Sequence, residues 1–227
     1  MAMGVRVLFE GMRETDKAAL SIRQAPLERR ALHDNHTSMT PDLCLTGRML
    51  IAMPGIGDPR FERAVILICA HGDDHAMGIA VNHPVGDLTT PDLLVRLGVE
   101  ANIQMPPDLV LFGGPVEIER GFVLHTSDYS SPPATLPVSE DLALTATREV
   151  LEAMGDRERA PRKSLLALGY AGWGSGQLEQ ELAQNAWLTC DPDETLLFGQ
   201  DHDAKWALAL AKLGIEPHRL SSEGGRA

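Results

Sequence analysis

The sequence predicts a single α+β domain, a mixed and largely antiparallel sheet with flanking helices, and three observations carry that prediction. Apolar, β-branched runs at residues 64–70 and 76–81 are joined by a link too short for a crossover helix, so they pair as a hairpin. Helical periodicity is confined to isolated stretches, and no regular strand–helix alternation of a doubly wound sheet runs through the first half. Hydrophobic residues fill 44% of 227 positions, enough for one sizeable core, while aromatics are only 4%. That core must therefore be mostly Leu, Ile, Val, Ala and Met.

In chain order, residues 1–43 come first and differ in character from the rest of the chain. They mix Arg, Glu and Ala with few large apolar side chains, and are expected to form a flexible extension to a domain at residues 44–220. Met39 stands just ahead of that domain and is an alternative translation start to Met1, a choice that the intact mass of the native protein decides. Residues 47–53 predict a strand stopped by Pro54-Gly55. Asp58 followed by Pro59 reads as an N-cap with proline in the first turn, giving one short helical turn. The continuous run at 64–70 predicts a strand buried on both faces. Residues 71–74 form the turn to the next strand, and Asn82 ahead of His83-Pro84 reads as a turn former.

Thr90-Pro91-Asp92 starts a helix through Leu97 that Gly98 ends. Residues 108–112 predict a strand running into a turn at Gly113-Gly114-Pro115, and residues 121–125 another. The Ser/Pro-rich stretch 129–137 reads as an exposed, mobile loop. A short strand at 142–144, a helix at 147–154 ended by Gly155, and a charged loop at 156–163 come next. Residues 164–168 predict the strand that feeds the glycine-rich stretch 169–179. Beyond it come a helix at 177–184, a strand at 186–190, a helix at 201–213 stopped by Gly214, and a fraying tail at 221–227.

The stretch Gly169-Tyr170-Ala171-Gly172-Trp173-Gly174-Ser175-Gly176-Gln177 holds the main candidate site. Strand, glycine loop and helix start together would present unpaired N–H groups, a possible anion cradle. Three familiar readings fail on spacing. No Lys-Ser/Thr follows the last glycine, as a Walker A loop requires. The glycines are spaced G-x-G-x-G rather than G-x-G-x-x-G. Ser175 has glycine at the adjacent positions, but Trp173 stands where a nucleophile elbow needs glycine. What remains is either a tight strand-to-helix connection with Trp173 filling the core, or a ligand cradle. The candidate ligand-binding residues are Tyr170, Gly172, Trp173, Gly174, Gly176, Gln177, Glu181 and His125. No residue is assigned as catalytic. His71 and His75 have the spacing of a helical metal pair, but Gly72-Asp73-Asp74 makes the segment a hairpin tip, so no metal and no cofactor are assigned. Cys69 lies inside an apolar strand, where a thiol is inert.

Composition removes further classes. The net charge is -12 and the pI about 5.0, a field that repels a phosphate backbone, and no basic stripe offsets it. The three cysteines are far apart without CxxC spacing, which fits a reducing cytosol. No apolar run is long enough to span a bilayer and no secretory h-region is present, so a cytoplasmic protein is expected.

Four ordered segments also resemble a known family. Gly47-Arg48-Met49-Leu50-Ile51-Ala52-Met53-Pro54 with Asp58-Pro59-Arg60-Phe61 is similar to the opening of the AlgH/YqgE family of bacterial proteins. Ala76-Met77-Gly78-Ile79-Ala80-Val81-Asn82 resembles its second signature. Gly113-Gly114-Pro115-Val116 with Arg120-Gly121-Phe122-Val123-Leu124-His125 resembles its third. The glycine stretch continuing to Gln177-Leu178-Glu179-Gln180-Glu181 and Asn185-Ala186-Trp187-Leu188 resembles its most distinctive part. His75 and His83 depart from the family, which usually has glycine and arginine there. The resemblance implies a sheet bent into an incomplete barrel with helices outside. It implies no established enzymatic activity and carries the label of a transcriptional regulator linked to alginate production. The expected function is a non-enzymatic regulatory or interaction protein, with an indirect role in transcription and a protein or small-ligand partner. The alternatives are a ligand-binding or hydrolase-like enzyme using residues 169–177, and a direct DNA-binding regulator, which the acidic charge opposes.

Overall fold

The computed structural model describes residues 44–220. The readings of residues 1–43 and of 221–227, and the choice between Met1 and Met39, lie outside the described residues.

The described residues form ten strands and five α-helices. β1 is Met49–Ala52. A single 3₁₀ turn at Pro59–Phe61 comes next, capped as expected by Asp58, whose carboxylate accepts from Arg60 N–H. β2, Val65–His71, and β3, His75–Ala80, form the predicted hairpin. β4 is Pro84–Thr89, and α1 is Thr90–Arg96, capped by the Thr89 hydroxyl. β5, Leu109–Phe112, leads into β6, Val116–Thr126. β7, Thr135–Pro137, and β8, Leu142–Thr145, precede α2, Arg148–Met154. β9, Ser164–Gly174, α3, Gln177–Ala183, and β10, Trp187–Cys190, continue the chain. α4 is Glu194–Phe198 and α5 is Lys205–Lys212.

The strand order is β10-β1-β2-β3-β9-β6-β8-β7, with β5 also on β9 and β4 on β5. All pairs are antiparallel except β5 with β9. The sheet curls into a half-barrel, as the family resemblance implies. Its two faces bury two apolar clusters. Val65, Leu67 and Cys69 of β2 point into one and Ile66 and Ile68 into the other, so β2 is buried on both sides, as its unbroken apolar run demands. α5 packs Trp206 and Leu210 against the first cluster, and the Trp206 indole donates to the Ala52 carbonyl at 2.8 Å.

Several expectations need correction. Residues 129–137 are not all loop: the last three form β7, an edge strand on β8 whose Pro137 blunts it against further pairing. β4 was not foreseen, because Gly86, Asp87 and the absence of any buried position give it no apolar alternation. α4 was also missed, though Asp193 caps it by accepting from Leu196 N–H at 2.8 Å. β6 begins well before residue 121, with a register shift between Val116 and Gly121. The 201–213 helix starts only at Lys205. Asn82 lies in the bend between β3 and β4, as expected of a turn former, but it is buried there. Its side chain accepts from Val65 N–H at 2.8 Å and donates to the Arg63 carbonyl at 2.9 Å.

Candidate functional site

The glycine-rich stretch is not a loop. Residues 169–174 continue β9, and only Ser175 and Gly176 connect it to α3. Its glycines serve sheet geometry. On one edge β9 lies beside β5 through Leu168 and beside β3 from Ala171 onward, so that edge changes partners around Gly169, while β6 follows the other edge as far as Tyr170. There the chain after β5 crosses it backbone to backbone. A Cβ on Gly114 would stand 2.1 Å from the Tyr170 carbonyl carbon, and one on Gly169 would stand 2.4 Å from the Gly114 oxygen. No side chain fits that crossing.

Side chains alternate along β9, so Tyr170 and Trp173 lie on opposite faces. Tyr170 packs edge-on against Phe122 at 5.6 Å, while Trp173 enters the other cluster. The two therefore line no common pocket. Trp173, Gln177 and Glu181 do meet, as a closed clasp. Glu181 Oε2 accepts from the Trp173 indole at 2.9 Å and the Trp187 indole at 2.7 Å. Its Oε1 accepts from the Gln177 amide at 2.8 Å, and Gln177 Oε1 accepts from Gly174 N–H at 3.1 Å. The two indoles meet edge to face at 6.0 Å, and Phe61 covers Trp187 at 5.7 Å. These polar atoms hold α3 to the sheet. Gly172 and Gly174 lie exposed on the strand, and Gly176, at φ 68°, makes the turn.

His125 does not join this group. It pairs with Ser164 at the opposite end of β9 and is fully buried. Nδ1 contacts the Thr126 carbonyl at 2.8 Å and Nε2 the Thr145 hydroxyl at 2.9 Å, and burial pushes its pKa down. His71 Nδ1 accepts from Leu45 N–H, and Nε2 meets Glu179 at 2.6 Å, while His75 is exposed. Among the described residues no group of three or more His, Cys, Asp or Glu is placed to hold a metal. Burial raises the Cys69 thiol to about 12, in keeping with an inert cysteine.

A different region gathers groups whose bonding is incomplete. The turn after α4 and the start of α5 place His202 and Lys205 against the starts of β5 and β9. There His202, Lys205, Asp108 and Ser164 line a cavity of about 10 Å³. Lys205 is 1% exposed. Its ammonium donates to the Val81 carbonyl at 2.8 Å and the Leu197 carbonyl at 3.2 Å, and burial lowers its pKa to about 8. His202 is 8% exposed, and neither ring nitrogen has a hydrogen-bond partner among the described residues. The Val81 carbonyl, already engaged by Lys205, favours the imidazolium electrostatically without bonding to the ring. Burial and the Lys205 ammonium outweigh it and keep the His202 pKa low. Asp108 is raised by burial, with His202 opposing.

Asp108, Ser164 and Phe198 also border a larger cleft of about 280 Å³, with Met105, Met154 and Arg162 on its walls. Lys163 at its rim is held by Glu194. Sequence reasoning missed this region. Lys205 gave the one available signal: it falls on the face of its helix with Ala209, where an apolar residue belongs. His202 and Asp108 gave none.

A family profile described as AlgH-like matches residues 49–218. A UPF0301 protein of Caulobacter vibrioides is 65% identical over 183 residues, covering 81% of this chain and 94% of that one. A UPF0301 protein of Bradyrhizobium diazoefficiens is 50% identical over 190 residues, covering 81% and 88%. Among solved structures, the AlgH protein of Pseudomonas aeruginosa aligns with a TM-score of 0.63 at 38% identity, covering 84% of this chain and 100% of that one. A Corynebacterium diphtheriae protein aligns at 0.60 with 18% identity, covering 77% and 90%, and shares the fold alone. The chain belongs to the AlgH-like family.

Proposed function

We propose that this AlgH-like chain is a non-enzymatic regulatory protein that binds a small, largely apolar ligand in the cleft beside β5 and β9. One observation carries the reading: a 280 Å³ cleft walled by Met105, Met154 and Phe198, with opposite charges from Asp108 and Arg162. Apolar walls with a few polar groups are what small-molecule sites share. The glycine stretch supports ligand binding less well, since Glu181 and Gln177 already bond to each other and to neighbouring N–H groups. Among the described residues no helix is long and apolar enough to cross a membrane, and action in the cytoplasm is part of the proposal.

A thermal-shift screen of the full chain against small metabolites tests it. A ligand at 100 times its Kd stabilises the folded state by about 2.7 kcal/mol, a rise of several degrees in Tm. Met105→Trp, which fills the cleft from its half-buried wall, is expected to abolish the rise. A screen with no hit, or a hit that Met105→Trp leaves unchanged, overturns the proposal.

A further inference from the structure

We propose that the cavity lined by His202 is a subsite for a hydroxyl group, so that the ligand of the neighbouring cleft is a small alcohol with an apolar body. This rests on the cleft being the binding site. An imidazole that is 8% exposed with both nitrogens unpaired is costly, since each buried unsatisfied group loses about 1–3 kcal/mol. Buried polar groups left without a protein partner call for another explanation, such as a water or a ligand.

The surroundings decide what kind of partner fits. Lys205 spends its ammonium on two carbonyls and stands beside the ring as a fixed positive charge, which excludes a second cation. Asp108 on the same wall opposes an anion. With Lys205 beside it, His202 stays a neutral imidazole, having one donor and one acceptor nitrogen. The two nitrogens point away from each other, so one small group meets only the one that faces the cavity, and because either tautomer is open to the neutral ring that group can donate or accept. A hydroxyl and a carboxamide both qualify, and size separates them. The cavity holds about 10 Å³, about one water-sized group, so the hydroxyl fits and the amide does not. Asp108 and Ser164 belong to the walls of both spaces, which puts the carbon body of such an alcohol in the cleft, against Met105 and Met154.

The test titrates the full chain with 1-butanol, butyrate and butylammonium. NMR follows the ring nitrogens of His202 and the methyl groups of Met105 and Met154. Butanol is expected to shift one ring nitrogen saturably and to bind about tenfold tighter than either ion, the worth of one net hydrogen bond. In His202→Phe that preference should disappear. Methyl shifts without movement of the His202 nitrogens, the result if the cavity keeps a water, overturn the subsite and leave the cleft reading standing. Equal shifts from butyrate do the same. If no probe moves either methyl, the cleft reading falls with it. The wild-type comparison of three probes stands alone should His202→Phe fail to fold.

Discussion

Replacing Lys205 with methionine and following stability against pH probes the buried ammonium directly. In the folded chain its pKa lies at about 8, against 10.5 for the ordinary side chain. Below pH 8 both states keep the proton, and the cost of the buried charge is constant. Between pH 8 and 10.5 the unfolded state binds more protons, so this group makes the wild type more stable as pH rises. At ~1.4 kcal/mol per pKa unit, the full rise is about 3 kcal/mol. With the side chain 1% exposed, solvent screening takes little from that figure. Urea unfolding of wild type and Lys205→Met at steps across the window supplies the difference curve. Methionine strands the Val81 and Leu197 carbonyls, but neither titrates, so they move the offset and not the slope. The Cys69 thiol, raised from 9.0 to about 12, acts with the opposite sign, destabilising as pH rises above 9.0. It does so in both chains and cancels. The wild type should gain about 3 kcal/mol on the variant across the window. A flat difference would show that the ammonium is not desolvated, and the account of Lys205 would fail.

Glu181→Gln puts an amide where two indoles and a carboxamide donate, and should cost about 2–4 kcal/mol in urea unfolding, since hydrogen bonds to a charged acceptor are worth ~1.5–3 kcal/mol each. A loss under ~0.5 kcal/mol would remove the clasp from the forces holding α3. Gly114→Ala should give no soluble folded protein, because its Cβ meets backbone 2.1 Å away, whereas Gly176→Ala, with nothing within 4 Å, should lose only ~1–2 kcal/mol for its positive φ. Circular dichroism of the two variants checks the contrast, and equal losses would refute it. Asn82→Ala leaves Val65 N–H and the Arg63 carbonyl without their partner and should lower stability by about 2 kcal/mol, measurable by calorimetry.

Where burial follows from local pattern, the sequence was legible. The unbroken run of β2 announced a strand covered on both faces, and the short link to β3 announced a hairpin. Asp58 before Pro59 announced its cap. The glycine stretch misled for a physical reason. Glycine signals either a loop or a close approach of backbones, and only the fold shows that Gly113 and Gly114 arrive opposite Gly169. Trp173, Gln177 and Glu181 do meet, but spacing along a helix does not reveal that Trp187 joins them and shares Glu181 Oε2 with Trp173. His125 was named with them as a candidate, yet strand register carries it to the far end of β9. His202, Lys205 and Asp108 come from segments nearly 100 residues apart, and their meeting depends on how α5 closes over the starts of β5 and β9.

The central place of β9 governs how this chain is made. β3 ends at Ala80, and its partner on β9 is complete only at Gly174. At a synthesis rate of about 5–20 residues per second, that strand edge waits on the order of 5–20 s. β5 and β6 wait as well, and β1 must wait for β10. During that interval unpaired, apolar strand edges face the surroundings of the ribosome, where a holdase or another nascent chain competes for them. Slower translation or a higher temperature lengthens or aggravates that exposure, and the yield of native protein should fall with either, even in a chain whose finished fold is stable.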